Sequence, residues 1–347
     1  MILRLKKNTL ILFSLYLSII SVVIFFNHTI QSWHESNFAF WFSSDGSEYY
    51  RLYEVYSSQD LPIHVILRLF IVGFPVLLLL FFNGSVASVI IFSNSIFFIS
   101  LFLYCKALRV GNPLVIIVIL LMPPIFFGLF SINKEIYLIS GTLLFISYYI
   151  SGSSRLLIFS FFVMMMSRSY MLVFFVFIMI LFPRGREVID YKRIFISMFS
   201  ISLLSPAILH SGYFGTSENL LDGAGALANF FASGIRHGIY IVLYFPKFFF
   251  LIFMRVWSAY VDGLFGFYQA NLRDLLLSLY SVIIISLSLY RLHKYKSYRF
   301  RYLVIAFLSP YPLMFSDIAH WRYYIFSLPF FITYVFLNDS YFKNYKY

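Results

Sequence analysis

Apolar runs recur along almost the whole chain, at about 9–27, 64–82, 85–104, 113–130, 136–150, 156–182, 194–210, 238–257, 274–290, 302–316 and 321–337. A helix that crosses a bilayer needs roughly 20 apolar residues. Barrel strands would instead show short alternating segments. The pattern therefore predicts an all-α, polytopic transmembrane bundle of about 10–12 spans. No linker or shift in composition divides the chain, so residues 1–347 read as a single integral membrane domain. The first run, Thr9 to Phe26, is long enough to span and lacks a small-x-small cleavage site after it, so it reads as a signal anchor.

The polar positions between the runs set the expected sides. Arg4, Lys6 and Lys7 precede the first run. Lys106 and Arg109 follow the third, Arg184, Arg186, Lys192 and Arg193 share one loop, and Arg291, Lys294, Lys296, Arg299 and Arg301 share another. With Lys343 and Lys346 these clusters predict the cytoplasmic face, with both termini on it. Residues 28–63 have the opposite character, with Glu35, Asp45, Glu48, Glu54 and Asp60 against Arg51, and read as the first external loop. Residues 211–238, rich in Gly, Ala, Ser and Asn, read as a second. Counting crossings between the clusters leaves a parity conflict near 64–104 and again near 236–274. Some segments must therefore be re-entrant, interfacial or broken. The run 156–182 carries Ser167-Arg168-Ser169 at its middle. A charge at the bilayer centre costs at least about 2.5–3.5 kcal/mol, which two half-length helices turning at Arg168 avoid. Lys247 and Arg255 pose the same question in 238–257.

Composition agrees with this pattern. Of 347 residues, 61% are hydrophobic and 12% charged, about half the charge of a soluble domain, which excludes a soluble or a disordered chain. Net charge is +12, but 16 of the 26 Lys and Arg lie in the clusters just named and report topology, so the basicity does not point to nucleic acid. The single cysteine, Cys105, excludes an intramolecular disulfide and Cys-rich metal sites. No metal spacing, phosphate loop, dinucleotide fingerprint or nucleophile elbow is present.

The remaining ionisable residues gather on the opposite, external face: Asp45, Glu48, Arg51, Arg68, Lys134, Glu135, Arg168, Arg236, Asp317, His320 and Arg322. Charges at membrane depth are costly and usually functional. Cations with a few acids suit a phosphate-bearing ligand, because Arg matches phosphate oxygens and a carboxylate can take a proton from a hydroxyl. Lys134 and Glu135 admit either a ligand role or a local ion pair at a helix start. Tyr49, Tyr53 and Tyr56 fall on one helix face in Asp45 to Tyr56, as a sugar-stacking surface or an interfacial helix would require.

The order of these features carries a resemblance. An anchor span is followed by Asp45-Gly46-Ser47-Glu48-Tyr49-Tyr50, then Asn133-Lys134-Glu135 opening a helix. A hairpin broken at Ser167-Arg168-Ser169-Tyr170 comes next, then a late external loop, and His320-Trp321-Arg322-Tyr323 opening the last span. This resembles bacterial polysaccharide polymerases of the O-antigen (Wzy) and EpsG-like type, and more distantly the membrane glycosyltransferases of the GT-C fold. The resemblance implies an inner-membrane, inverting glycosyltransferase without cofactor. It would join undecaprenyl-diphosphate-linked repeat units on the periplasmic face, working in membrane lipid beside a chain-length regulator and a flippase. It implies Asp45 or Glu48 as base and Arg168, Arg322 and Arg236 on the diphosphate. Asp317 and His320 are further catalytic candidates, and Arg51, Lys134, Glu135, Arg255, Tyr49 and Tyr53 further substrate contacts. A transferase using a polyprenyl-phosphate sugar and a lipid-linked oligosaccharide flippase are the alternatives.

Overall fold

The computed structural model of the protein describes residues 2–36, 45–109, 113–167, 172–184, 189–210, 233–234, 237–261, 271–294, 300–312 and 324–337. These residues are helical, with no strand among them. In chain order the helices are α1 Ile2–Phe25, α2 Asn27–Glu35, α3 Gly46–Ser57, α4 Ile63–Val72, α5 Phe74–Phe81 and α6 Val86–Leu108. They continue with α7 Leu114–Leu120, α8 Pro123–Gly128, α9 Glu135–Ser151, α10 Ser154–Ser167, α11 Leu172–Leu181 and α12 Tyr191–His210. The last four are α13 Tyr240–Val261, α14 Asn271–Lys294, α15 Phe300–Leu308 and α16 Leu328–Phe336.

Among the described residues, three stretches are long and apolar enough to cross a membrane, Asn8–Phe25, Val86–Leu108 and Leu275–Leu292, and a fourth arises if Ile63–Phe70 and Phe74–Phe81 count as one bent span. Two expected spans change form. The run 64–82 is α4 and α5, bent by 117°. Gly73 caps the first of these helices and a proline stands in the opening turn of the second. A proline is at ease in a helix's first turn but cannot continue the helix before it. The run 113–130 is two helices of 7 and 6 residues, because Pro123-Pro124 open α8 after the chain leaves α7. Residues 28–63 are not a plain loop either. They hold α2 and α3, which pack on each other and on α6 and α5.

α9 is the hub. Apart from Lys134 just before it, and Tyr148, Ile150 and Ser151 near its end, it is buried throughout. Its tightest neighbour is α10. A Cβ on Gly141 would meet the Met164 amide nitrogen and the Ser160 carbonyl oxygen at 3.3 Å, so the glycine lets the two backbones approach. α6 runs beside it, tied by Ser93 Oγ to Tyr137 Oη at 2.6 Å, and Asn94 Nδ2 donates to the carbonyl of Leu129, the residue that ends α8, at 2.9 Å. Without water, such polar groups must pair inside the protein. α1 returns antiparallel along α6, with Tyr16 bonded to Ser95 at 2.7 Å. The starts of α6 and α9 thus share one end of the bundle with α2 and α3. The start of α1 and the end of α6 share the other.

Candidate functional site

The site forms where α2, α3 and the turn before α9 meet. Asn133 builds the turn. It is 1% exposed, its Oδ1 accepts the Glu135 amide at 2.9 Å, and its Nδ2 donates to the Pro124 carbonyl at 3.3 Å. This side-chain bond satisfies one orphan donor of the helix start. Glu135, 3% exposed, stands in the first turn of α9, where the helix dipole favours an anion.

Lys134 is placed against that dipole. Its ammonium is held from α3 instead, by Asp45 Oδ2 at 3.3 Å and by the Tyr49 ring, whose centroid lies 5.5 Å away. The Lys134 and Asp45 side chains are 12% and 21% exposed, so this is a half-buried pair open to a ligand. Through it Lys134 reaches beyond its own turn to a carboxylate of a second element, Asp45 at the start of α3. Asp45 occupies the N-cap position of α3 yet makes no side-chain capping bond there. Its Oδ2 accepts from Tyr49 Oη at 3.4 Å as well as facing Lys134.

His34 locks the junction. Its Nδ1 faces the Ile30 carbonyl at 2.8 Å and its Nε2 faces the Ile132 amide at 3.2 Å. A carbonyl only accepts and an amide only donates, so Nδ1 carries the proton and Nε2 is the acceptor. Burial pushes this imidazole toward its neutral form, against the smaller opposing pull of the Ile30 carbonyl. A second proton would point Nε2–H at the Ile132 N–H. Gly46 explains the start of α3. A Cβ there would stand 3.2 Å from the Ile132 carbonyl oxygen and 3.4 Å from His34 Nε2. Gln31 completes the frame by accepting the Val86 amide at 3.1 Å at the start of α6.

The other expected residues divide. Glu48 and Arg51 form an exposed pair at 2.6 Å, side chains 49% and 67% exposed, and the Arg51 hydrogen bond holds the Glu48 carboxyl below its usual range. Tyr49 is 5% exposed beneath the Lys134 ammonium. Tyr53 packs on Gly84, whose Cβ would fall 2.7 Å from Tyr53 Oη and whose φ of +79° suits glycine. The tyrosine face of α3 is thus turned into the protein, and both rings are used in packing. Arg68 is exposed on α4. Arg168, Arg236, Asp317, His320 and Arg322 lie outside the described residues, as does the side chain of Arg255 in α13. The helices flanking Arg168 are separate elements, ending at Ser167 and resuming at Leu172.

His34 is the site residue that sequence reasoning missed. Its only local signal is its i, i+4 spacing from Ile30, the two buried positions of an otherwise polar helix. Its partner Ile132 is remote in sequence. Among the described residues no three His, Cys, Asp or Glu side chains converge as a metal site would need. The arrangement offers a cation, a carboxylate that faces both Lys134 and Tyr49, and a buried imidazole that bridges α2 to the turn before α9. No family model, curated protein or solved structure matches the chain.

Proposed function

We propose that the chain is a bacterial inner-membrane polysaccharide polymerase, a glycosyltransferase that joins undecaprenyl-diphosphate-linked repeat units at the external face. The Lys134–Asp45 pair carries this reading. A cation seated at a helix start gains nothing from the dipole, so helix stability does not explain it. A lysine beside a carboxylate, both partly exposed at one end of the helix bundle, suits an acceptor hydroxyl and a diphosphate together.

In this reading the acceptor hydroxyl attacks the anomeric carbon of the donor glycan. The bond from that carbon to the diphosphate oxygen breaks, and Asp45 takes the hydroxyl proton. Lys134, with Arg168 and Arg322, meets the charge that develops on the departing undecaprenyl diphosphate, where preorganised cations act most strongly. Glu48 serves less well as base, because it stands in an exposed pair with Arg51, whereas Asp45 is the more buried carboxylate and lies beside Lys134. In this reading the shorter apolar helices Glu135–Ser151, Ser154–Ser167, Leu172–Leu181, Tyr240–Phe253 and Ile325–Phe336 join the three or four longer spans, eight or nine membrane segments among the described residues, in a bundle of about 10–12 crossings with both termini cytoplasmic.

The test is the surface-glycan ladder of a strain lacking the gene. The polymerase reading expects a single repeat on the lipid core. Restoring Arg168→Ala or Arg322→Ala at normal membrane levels should leave that single repeat. Long chains in the deletion strain would contradict the reading. No repeat at all would favour a sugar-adding transferase or a flippase.

A further inference from the structure

We propose that the groove between α1 and α6 binds one acyl chain of an anionic glycerophospholipid, whose headgroup rests on the basic ends of these two helices. The groove encloses about 350 Å³ between Leu12, Phe13 and Tyr16 on one side and Phe98, Ile99 and Phe102 on the other. That lies within the roughly 300–1,000 Å³ of ordinary ligand pockets. Both helices are candidate membrane spans, so the opening faces hydrocarbon. Phe13 and Ile99 are 56% and 50% exposed and form its outer lips.

The polar atoms of the groove are already satisfied. Ser95 Oγ donates to the Ile91 carbonyl at 2.7 Å, and Tyr16 Oη bonds to Ser95 Oγ. The Tyr16 and Phe98 rings meet at 5.4 Å. A site with so little unmet polarity takes a hydrocarbon chain rather than water, which needs polar partners.

Charge selects the lipid. The antiparallel register that sets Tyr16 against Ser95 brings Thr9 and Phe102 together at one end of the groove. Beyond them lie Arg4, Lys6 and Lys7 in the opening turns of α1, and Lys106 and Arg109 at the end of α6. Lys106 and Arg109 are exposed. Each cation near a membrane surface strengthens anionic-lipid binding about fivefold. The Asp45–Lys134 pair stands at the opposite end of the bundle. A polyprenyl diphosphate reacting there would have its charge at the wrong face for this groove.

Native mass spectrometry of the full-length protein, titrated with phosphatidylglycerol, phosphatidylcholine or undecaprenyl phosphate, tests the assignment. Phosphatidylglycerol should bind at least tenfold more tightly than phosphatidylcholine. The Lys6→Gln/Lys7→Gln/Lys106→Gln variant, which alters only helix ends, should lose about 100-fold of that affinity. Ile99→Trp, which fills the groove from its lipid-facing lip, should expel the bound phosphatidylglycerol at unchanged melting temperature. Equal affinity for the two phospholipids would overturn the proposal. So would displacement by undecaprenyl phosphate, or full retention of phosphatidylglycerol by Ile99→Trp.

Discussion

The two ends of α9 both hold cations, and they use them differently. At its C-terminal end, Arg301 donates from Nη2 to the Phe182 and Pro183 carbonyls at 2.5 and 2.9 Å and lies 5.4 Å from the Tyr149 ring centroid. Arg184 fills the space that a side chain on Gly152 would need, and Gly152 ends the helix at φ +78°. These cations sit where the dipole favours positive charge, and carbonyl oxygens hold the Arg301 guanidinium. At the N-terminal end, Lys134 sits where the dipole is unfavourable and is held by a carboxylate from α3. A cation on the helix's favoured end is structure. A cation on the other end, held by a carboxylate from another helix, is not explained by the helix dipole.

Asp45→Asn breaks the comparison most severely. General-base catalysis is worth about 10²–10⁴-fold, so polymer formation should fall by that factor while the protein stays in the membrane. Lys134→Ala should match it. It should also destabilise the fold by about 1–3 kcal/mol, less than a fully buried pair would cost, because both groups keep some exposure. Paired thermal melts and glycan ladders separate the two effects.

Arg301→Met should give the opposite profile. Losing charged hydrogen bonds to the Phe182 and Pro183 carbonyls should cost about 2–3 kcal/mol of stability, with activity per folded molecule retained. Gly152→Ala should cost about 1–2 kcal/mol from its left-handed backbone alone, and more because Arg184 must move. If either variant abolished polymer at normal folded levels, the two ends would not differ as described.

A smaller effect comes from His34. Burial lowers its affinity for a second proton in the folded state, whereas an unfolded histidine gains one below about pH 6.5. The unfolded state binds more protons there, so stability should fall as pH drops through 6.5 toward 5. His34→Gln should flatten this slope, measured by thermal melts across pH. The smallest effect belongs to the exposed Glu48–Arg51 pair. Glu48→Gln should leave both the melting temperature and the glycan ladder unchanged, which would sharpen the assignment of Asp45 over Glu48.

Long uninterrupted runs were legible as helices. The runs 9–27, 85–104 and 274–290 coincide with Asn8–Phe25, Val86–Leu108 and Leu275–Leu292. The run 64–82 bends in the region where the parity conflict called for a broken or re-entrant segment, but neither that bend nor the division of 113–130 was placed, because hydropathy does not register where a backbone turns. The signals lay in Gly73, Pro75 and Pro123-Pro124, punctuation that an apolar average conceals. α9 could be seen as apolar, but its burial depends on partners that a one-dimensional pattern does not contain. In the site, side assignment alone put Asp45 and Lys134 on one face. Their contact, and the bond from Ile132 to His34, arise from long-range packing and leave no spacing to read.

In the proposed polymerase, Asp45 and Lys134 act together in lengthening a lipid-linked glycan. The most direct measurement is the surface-glycan ladder of cells carrying Asp45→Asn as the sole copy, with membrane protein matched to the native level. The account predicts a lipid core capped by a single repeat. Long chains of normal distribution would contradict it.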